Sequence, residues 1–174
     1  MGVIQGQDDS PLTEAGKDSS VAKAEKLRPF PISAVFSSDL PRARTTLQII
    51  QRSLPGLPPP QFTRLLREID FGEYTGSVKE AIIETIMKHK SDTSIKYPGG
   101  ESGADLSIRV AGFMDALPTA RDGSYVLAVT HYGVIETIVK RYAGFPAGDH
   151  MKLGEDDIVS LGFDGGPVAS LDIL

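Results

Sequence analysis

The sequence predicts a mixed α/β fold with a mostly parallel sheet. Segments with the three- and four-residue apolar spacing of helices alternate with short, continuous apolar runs that are typical of buried strands. The 174 residues are enough to bury one hydrophobic core, and no linker-like stretch divides them. We therefore expect an α/β/α sandwich of three layers that forms a single domain over residues 1–174.

One helix and one strand are expected first, after a polar, loop-like segment. Thr13 suits the N-cap of a helix that runs towards Leu27. The two prolines of Arg28–Pro31 end that helix because proline cannot continue the hydrogen-bond ladder. The apolar run Ser33–Ser37 then predicts a short buried strand.

The second helix has the clearest periodicity in the chain. Asp39 is expected to cap it, and Pro41 suits its first turn. Leu57–Pro60 is then expected to be a rigid connection on the surface, because consecutive prolines favour an extended chain. The apolar positions that predict the helix are Leu40, Ala43, Leu47, Ile50 and Leu54.

The middle of the chain is expected to contain two more helices. Leu65–Gly76 is interpreted as a loop or a short strand, and Val78–Lys88 as a helix with one apolar face. Pro98–Gly100 predicts a turn. The next amphipathic helix is predicted by Leu106, Val110, Phe113 and Leu117.

The last third of the chain is expected to contain a strand, a helix and a hairpin. Ser124–His131 is a buried strand that ends in a histidine, and a helix begins at about Gly133. Ile158–Phe163 and Val168–Leu174 are predicted to pair as strands through the Asp164–Gly166 turn.

Side chains in four segments could carry chemistry, although the residues alone leave both a structural and a functional role open. His131 at a strand end, facing a helix N-terminus, could meet a phosphate or could be a structural histidine. Ser38 and Asp39, at the junction of a strand and a helix, could be functional groups or a cap. Arg42 opposes the helix dipole in a first turn, which favours a bound anion. Glu68 lies in a mixed-charge stretch that is ordinarily solvated.

Composition and charge exclude several classes of protein. The chain has no cysteine, so disulfides and thiolate sites are excluded. The net charge of −5 does not favour nucleic-acid binding, and an anionic substrate would need a local cationic pocket. Residues 1–17 lack an apolar signal segment and no run is long enough to span a bilayer, so we expect a cytoplasmic protein. A zinc site is not expected, because the histidines are far apart in sequence, at His89, His131 and His150.

Four segments in order resemble the motifs of the histidine phosphatase superfamily, the fold that includes the phosphoglycerate mutases. "SSDLPRARTT" is similar to the family's SSDL-x-RA motif, "GGES" to its P-x-GES turn, and "VTHYGVI" to its second-histidine motif. Glu68 stands in an E-x-x-F-G segment. The resemblance covers almost the whole chain and implies the phosphoglycerate mutase-like sandwich.

The resemblance also implies a mechanism through a phosphohistidine. In the family, one histidine attacks phosphorus, a second histidine and two arginines hold the phosphoryl oxygens, and a carboxylic acid protonates the leaving oxygen. Here His131 corresponds to the second histidine, Arg42 to the later arginine and Glu68 to the acid. Gln5 and Gly6 correspond to a segment that lines the substrate pocket. The implied substrate is a small phosphomonoester such as a sugar phosphate, with no metal and no organic cofactor.

The family's Arg-His-Gly motif, which carries the nucleophile, does not occur in the 174 residues. We therefore expect a domain that is truncated at the N-terminus, lacks its first central strand and is inactive as it stands. His89 is expected on a solvated surface and His150 in a polar loop, so neither replaces the nucleophile. Tyr132 stands where the family usually has glycine, which would crowd the pocket floor.

Phosphatase activity is expected rather than mutase activity. The segment between Glu68 and Gly100 is short, whereas phosphoglycerate mutases carry long insertions there, and "THYGVI" resembles the phosphatase branch. The alternative is a catalytically inactive member, or a fragment, that binds a phosphorylated ligand or a protein partner. A homodimer is left open.

Overall fold

Three parallel strands form the sheet on which the site is built. The computed structural model describes residues 2–118, 123–144, 152–154, 156–163 and 168–174. Strand β1 (Ile32–Ser38) lies in the middle, between β2 (Pro60–Thr63) and β3 (Tyr125–Val129), and pairs with both in parallel. The prediction of an α/β fold with a parallel sheet is therefore confirmed.

A separate antiparallel pair follows near the C-terminus. Strands β4 (Val159–Phe163) and β5 (Val168–Ile173) are in register from Val159 opposite Ile173 to Phe163 opposite Val168. The two predicted hairpin strands are confirmed. The predicted Asp164–Gly166 turn between them lies outside the described residues.

Five α-helices of 9 to 14 residues occur in the described part of the chain, and none of these is long and apolar enough to cross a bilayer. Helix α4 begins with a full capping box, in which Ser102 and Asp105 satisfy each other's backbone N–H groups. The helices are α1 (Glu14–Leu27), α2 (Pro41–Ser53), α3 (Ile83–Ser91), α4 (Gly103–Asp115) and α5 (Tyr132–Tyr142).

Two apolar clusters, one on each face of the sheet, explain the layered architecture. Side chains alternate between the faces of a strand, so Val35 and Phe36 of β1 enter different clusters. The cluster around Val35 contains side chains of α1 and α2, including the fully buried Leu47. The cluster that Phe36 contacts contains side chains of α4 and α5, including Val110. Helices therefore cover both faces, as buried parallel sheets require.

One of the two predicted helix caps, at α1 and α2, is present in the structure. Thr13 caps α1, where its side chain accepts a 3.1 Å hydrogen bond from the Gly16 N–H. The prediction that Asp39 caps α2 is wrong, because the N-cap is Leu40, which makes no side-chain capping bond. The backbone continues extended through Leu40, so the Asp39 carboxylate is free to pair with a distant arginine. Pro41 occupies the first turn, as predicted.

Two other segments differ from the predictions. Pro60 is not part of a surface connection, because it begins β2, where a strand's first residue tolerates the missing N–H of proline. The helix expected over Val78–Lys88 is a 3-10 turn, Lys79–Ile82, followed by α3. Val78 is 37% exposed whereas Ile86 is 8% exposed, so only the end of the apolar face predicted there is buried.

Candidate functional site

The site lies at the carboxyl ends of β1 and β3, where parallel sheets commonly place ligands. A cleft of about 1010 Å³ opens there. All of the residues to which the sequence assigned a role line this cleft, namely Gln5, Gly6, Arg42, Glu68 and His131. Residues that are 126 positions apart in sequence are thus brought to one wall.

His131 is the N-cap of α5 and is 9% exposed. Its Nδ1 lies 3.3 Å from Nε of Arg42, and its Nε2 lies 2.8 Å from Oγ of Ser38. A guanidinium can only donate, so Nδ1 accepts and the ring's hydrogen is on Nε2. Burial, together with the neighbouring charge of Arg42, lowers the pKa of His131 to about 3. The imidazole is therefore neutral in the free protein.

Arg42 joins three parts of the site. Besides His131, its guanidinium donates to the carbonyl of Gly6 at 2.6 Å and to the carbonyl of Asp8 at 2.8 Å. The residue stands in the first turn of α2, where the helix dipole disfavours a cation, and burial lowers its pKa. A bound anion would relieve both costs.

The Glu68 carboxyl rests on the N-terminus of α5. Its Oε1 accepts a 2.9 Å hydrogen bond from the N–H of Ile69, and its Oε2 accepts a 3.2 Å bond from the N–H of Gly133. A Cβ at position 133 would overlap Oε1 of Glu68, so glycine is required for this contact. Burial raises the pKa of Glu68, against the opposing effects of these N–H groups and of Arg42.

Arg109 and Glu101 hold the loop that carries Glu68, and sequence reasoning did not single out Arg109. The guanidinium makes two hydrogen bonds to the Glu101 carboxylate, at 2.8 and 2.9 Å. It also donates to the carbonyls of Leu65 and Arg67 at 2.8 Å and to that of Glu68 at 3.3 Å. The only sequence signal was Glu101 in the "GGES" segment, because the pairing partner lies on α4.

Asp39 has a structural partner of its own. Arg67 donates to both of its carboxylate oxygens, at 2.6 and 2.7 Å, and lowers its pKa. Gln7 connects this pair to Glu68, since its Oε1 accepts from Arg67 and its Nε2 donates to the Glu68 carbonyl at 3.0 Å. Arg67 and Glu68 of the mixed-charge stretch therefore have partners elsewhere in the fold and are not simply solvated.

The segment with Gln5 and Gly6 is held against the loop that contains Gly76 and Ser77. The N–H of Ile4 donates to the Ser77 carbonyl at 2.9 Å, and the N–H of Gly76 donates to the Ile4 carbonyl at 2.8 Å. Gly6 has a φ of +51°, which a side chain would strain, and a Cβ would lie 2.9 Å from Oγ1 of Thr75. Gln5 is exposed at the cleft.

The prediction that His89 is a solvated surface residue is wrong. It is 8% exposed, its ring stacks on Tyr97 with centroids 4.0 Å apart, and its nitrogens lie 2.7 and 3.3 Å from the carbonyls of Thr85 and Lys96. Lys88 beside it is exposed and Lys90 pairs with Glu136, while the ring packs inward. His150 lies outside the described residues. Tyr132 lines the cleft and is 41% exposed.

The groups gathered in this part of the cleft are suited to binding an oxyanion. A guanidinium, an imidazole and the N-terminus of an eleven-residue helix lie together beside a carboxyl whose pKa is raised. Donors of this kind bind phosphate and stabilise the charge that develops on it.

Comparison with known proteins supports the same conclusion. The chain matches the model of the histidine phosphatase superfamily (branch 1) over residues 1–170. It is 32% identical to "Probable phosphoglycerate mutase GpmB" of Salmonella choleraesuis over 151 residues, which are 83% of this chain and 68% of the relative.

Solved structures with this fold include mycobacterial glucosyl-3-phosphoglycerate phosphatase, with a TM-score of 0.70 and 27% identity over 83% of this chain and 74% of the other. TTHB049 of Thermus thermophilus has a TM-score of 0.73 and 27% identity, over 98% of this chain and 88% of the other. With the family model matching nearly the whole sequence, the chain belongs to the histidine phosphatase superfamily, branch 1.

Proposed function

We propose that the chain forms a histidine-phosphatase site that hydrolyses small phosphomonoesters, such as sugar phosphates. The observation that carries the proposal is the contact between Arg42 and His131 beside the Glu68 carboxyl, at the N-terminus of α5. The names of similar proteins agree with this class, because they include a glucosyl-3-phosphoglycerate phosphatase and a probable phosphoglycerate mutase.

Each of the three side chains has one role in the proposed reaction. Arg42 and His131 bind the phosphoryl oxygens, and the bound anion favours a protonated His131. A histidine nitrogen attacks phosphorus, the bond from phosphorus to the leaving oxygen breaks, and Glu68 gives its proton to that oxygen. Water then hydrolyses the phosphohistidine and returns a proton to the Glu68 carboxylate. The raised pKa of Glu68 supports the acid role, because the acid must hold a proton near neutral pH.

The attacking histidine is proposed to come from a segment that the 174 residues do not include. The Arg-His-Gly motif does not occur in the sequence. A second cleft, of about 330 Å³, is lined by apolar residues of β3 and β4 and reaches Arg42 and His131. Among the described residues β3 pairs only with β1, so an extended segment in this cleft could pair with its other edge. Such a segment would end beside the proposed phosphate site.

Phosphate binding tests the site independently of turnover. Titration calorimetry with inorganic phosphate should show binding that Arg42→Ala weakens at least about tenfold, as expected for loss of one charged donor. Arg52→Ala, on the exposed last turn of the same helix, is the matched control and should leave the affinity unchanged. Equal binding by Arg42→Ala and the native chain would refute the assignment.

Turnover distinguishes the second candidate function, an inactive family member that binds a phosphorylated ligand. The absent Arg-His-Gly motif favours this candidate for the 174 residues alone. Hydrolysis of p-nitrophenyl phosphate should be absent in the 174-residue chain and present in a chain extended at its N-terminus by a segment that carries the family's Arg-His-Gly motif. Phosphate binding without hydrolysis in the protein purified from its native source, at an intact mass of 18.7 kDa, would instead support the inactive binder.

A further inference from the structure

The far end of the cleft carries a charge pattern that the proposed phosphate site does not use. Helix α5 lines the cleft along its length, with His131 and Gly133 at one end and Glu136, Lys140 and Arg141 farther along. At 1.5 Å per residue, Gly133 and Lys140 are about 10 Å apart along the helix. The phosphate end and the far end are thus separated by the length of a small extended molecule.

The acidic side chain at the far end is already neutralised. Glu136 is 8% exposed, and its carboxylate lies 3.3 Å from Nζ of Lys90 and 3.1 Å from Nζ of Lys140. Two ammonium groups therefore share one carboxylate. The lysine side chains remain 39% and 31% exposed, so they can also reach a ligand.

More positive charge lies beside this group. Arg141 lines the same cleft, and the groups that it contacts among the described residues are neutral, Oγ of Ser107 at 3.4 Å and the ring of Tyr142. Counted over the described lining residues, the far end has three cations against the single carboxylate of Glu136. A local excess of cations in a chain with a net charge of −5 points to an anionic ligand group.

The cleft is also lined by apolar side chains that neither group of charged residues uses. These are Ile86, Tyr97, Ala104, Leu106 and Ile108, of which Ile108 is 72% exposed. Apolar lining of this kind suits the carbon skeleton of a ligand.

We propose that Lys90, Lys140 and Arg141 form a subsite for a second anionic group on the leaving portion of the substrate. The substrate class is then a phosphomonoester whose carbon skeleton carries a carboxylate or a second phosphate about 10 Å from the phosphoryl group that is attacked. This inference rests on the proposed function, which places the attacked phosphoryl group at Arg42 and His131.

The subsite can be tested with three synthetic ligands that share the same six-carbon spacer. Their binding to the 174-residue chain is measured by calorimetry at low ionic strength. They are an alkyl phosphate, the same alkyl phosphate with a terminal carboxylate, and the corresponding alkanediol bisphosphate. We expect one or both of the ligands that carry a second anionic group to bind about fivefold to tenfold tighter than the alkyl phosphate. Salt should reduce that advantage. The ligand with the larger gain identifies the second anion.

Variants separate this subsite from the phosphate site. Lys140→Gln and Arg141→Gln should each reduce the advantage of the second anion and leave the affinity for the alkyl phosphate unchanged. Arg141→Gln leaves the Glu136 carboxylate with both lysines, so it also controls for repacking. Lys88→Gln, with the same charge change on α3 but outside the cleft lining, should change neither affinity.

The outcomes distinguish the two proposals. Equal affinities for all three ligands, with binding that still depends on Arg42, would overturn the subsite and leave the phosphate site standing. An advantage that persists in Arg141→Gln and Lys140→Gln would overturn the assignment to these residues. No dependence of any ligand on Arg42 would refute the proposed function, and the subsite would fall with it.

Discussion

The backbone N–H of Gly133 donates a 3.2 Å hydrogen bond to Glu68, and Oε1 of Glu68 lies where a Cβ at position 133 would be. The contact joins residues 65 positions apart in sequence. It places a carboxyl with a raised pKa next to His131, the N-cap of the same helix. A side chain at position 133 and the Glu68 carboxyl are therefore mutually exclusive.

Gly133→Ala should destabilise the fold, although alanine ordinarily favours a helix. A Cβ at position 133 would overlap Oε1 of Glu68, and we expect a loss of about 1–3 kcal/mol in the free energy of unfolding, the usual cost of overpacking. Urea denaturation measures it. The control is Gly112→Ala in α4, where a Cβ meets nothing within 4 Å, so stability should stay constant or rise by up to about 1 kcal/mol. Equal effects of the two substitutions would show that Glu68 does not occupy this space.

The low pKa of His131 should make the protein less stable in acid. The unfolded chain binds a proton at this histidine as the pH falls below 6.5, whereas the folded chain does so only near pH 3. The contribution to stability is therefore lost progressively between pH 6.5 and about 3. Thermal unfolding of the native chain and of His131→Gln over this range should show a smaller loss in the variant. Parallel curves would contradict the assignment.

Arg42→Ala should raise the pKa of His131, because the guanidinium opposes a second positive charge beside the ring. Burial remains, so the pKa should stay below its ordinary value of 6.5. Titration of the His131 ring signals by NMR measures the change, with Arg52→Ala as a control of equal charge change. An unaltered pKa in Arg42→Ala would mean that the two side chains are not in contact in solution.

The contribution of Glu68 to stability should depend on pH in the opposite sense to that of His131, and Glu68→Gln should remove it. The pKa of Glu68 is raised above 4.5, so the folded chain keeps this proton after the unfolded chain has lost it. Stability from this group is present below pH 4.5 and declines as the pH rises through the folded pKa. As the pH rises, the free energy of unfolding of the native chain should therefore fall relative to that of Glu68→Gln. A difference that does not vary with pH would contradict the raised pKa.

Arg109→Gln should be among the most damaging substitutions outside the cleft lining. It leaves the part-buried Glu101 carboxylate without its cation and removes donors from the carbonyls of Leu65 and Arg67. Breaking one side of a buried pair costs about 3–5 kcal/mol, which denaturant unfolding can resolve. The matched control is Arg28→Gln, whose exposed pair with Glu25 should contribute nothing measurable. Similar stability of the two variants would contradict the role of Arg109.

The local elements were predictable because their signals are local. The spacing of Leu47 and Ile50 predicted α2, and both side chains are buried. Thr13 capped α1 as its position indicated. Asp39 shows the limit of such signals, because its carboxylate pairs with Arg67 rather than with the helix that follows it. Local capping preference is weaker than a bidentate ion pair that the fold brings within reach.

The fold class, most of the elements and the family motifs could be predicted from the amino-acid sequence, and the motifs place Arg42, Glu68 and His131 after particular strands. Which side chains touch follows from how the chain packs in three dimensions. The burial of His89 depends on its stacking against Tyr97, and Arg109 acts on a loop more than 40 residues away. Periodicity and capping report on neighbours within a few positions, whereas these contacts follow from how distant segments pack and which polar groups must then be satisfied.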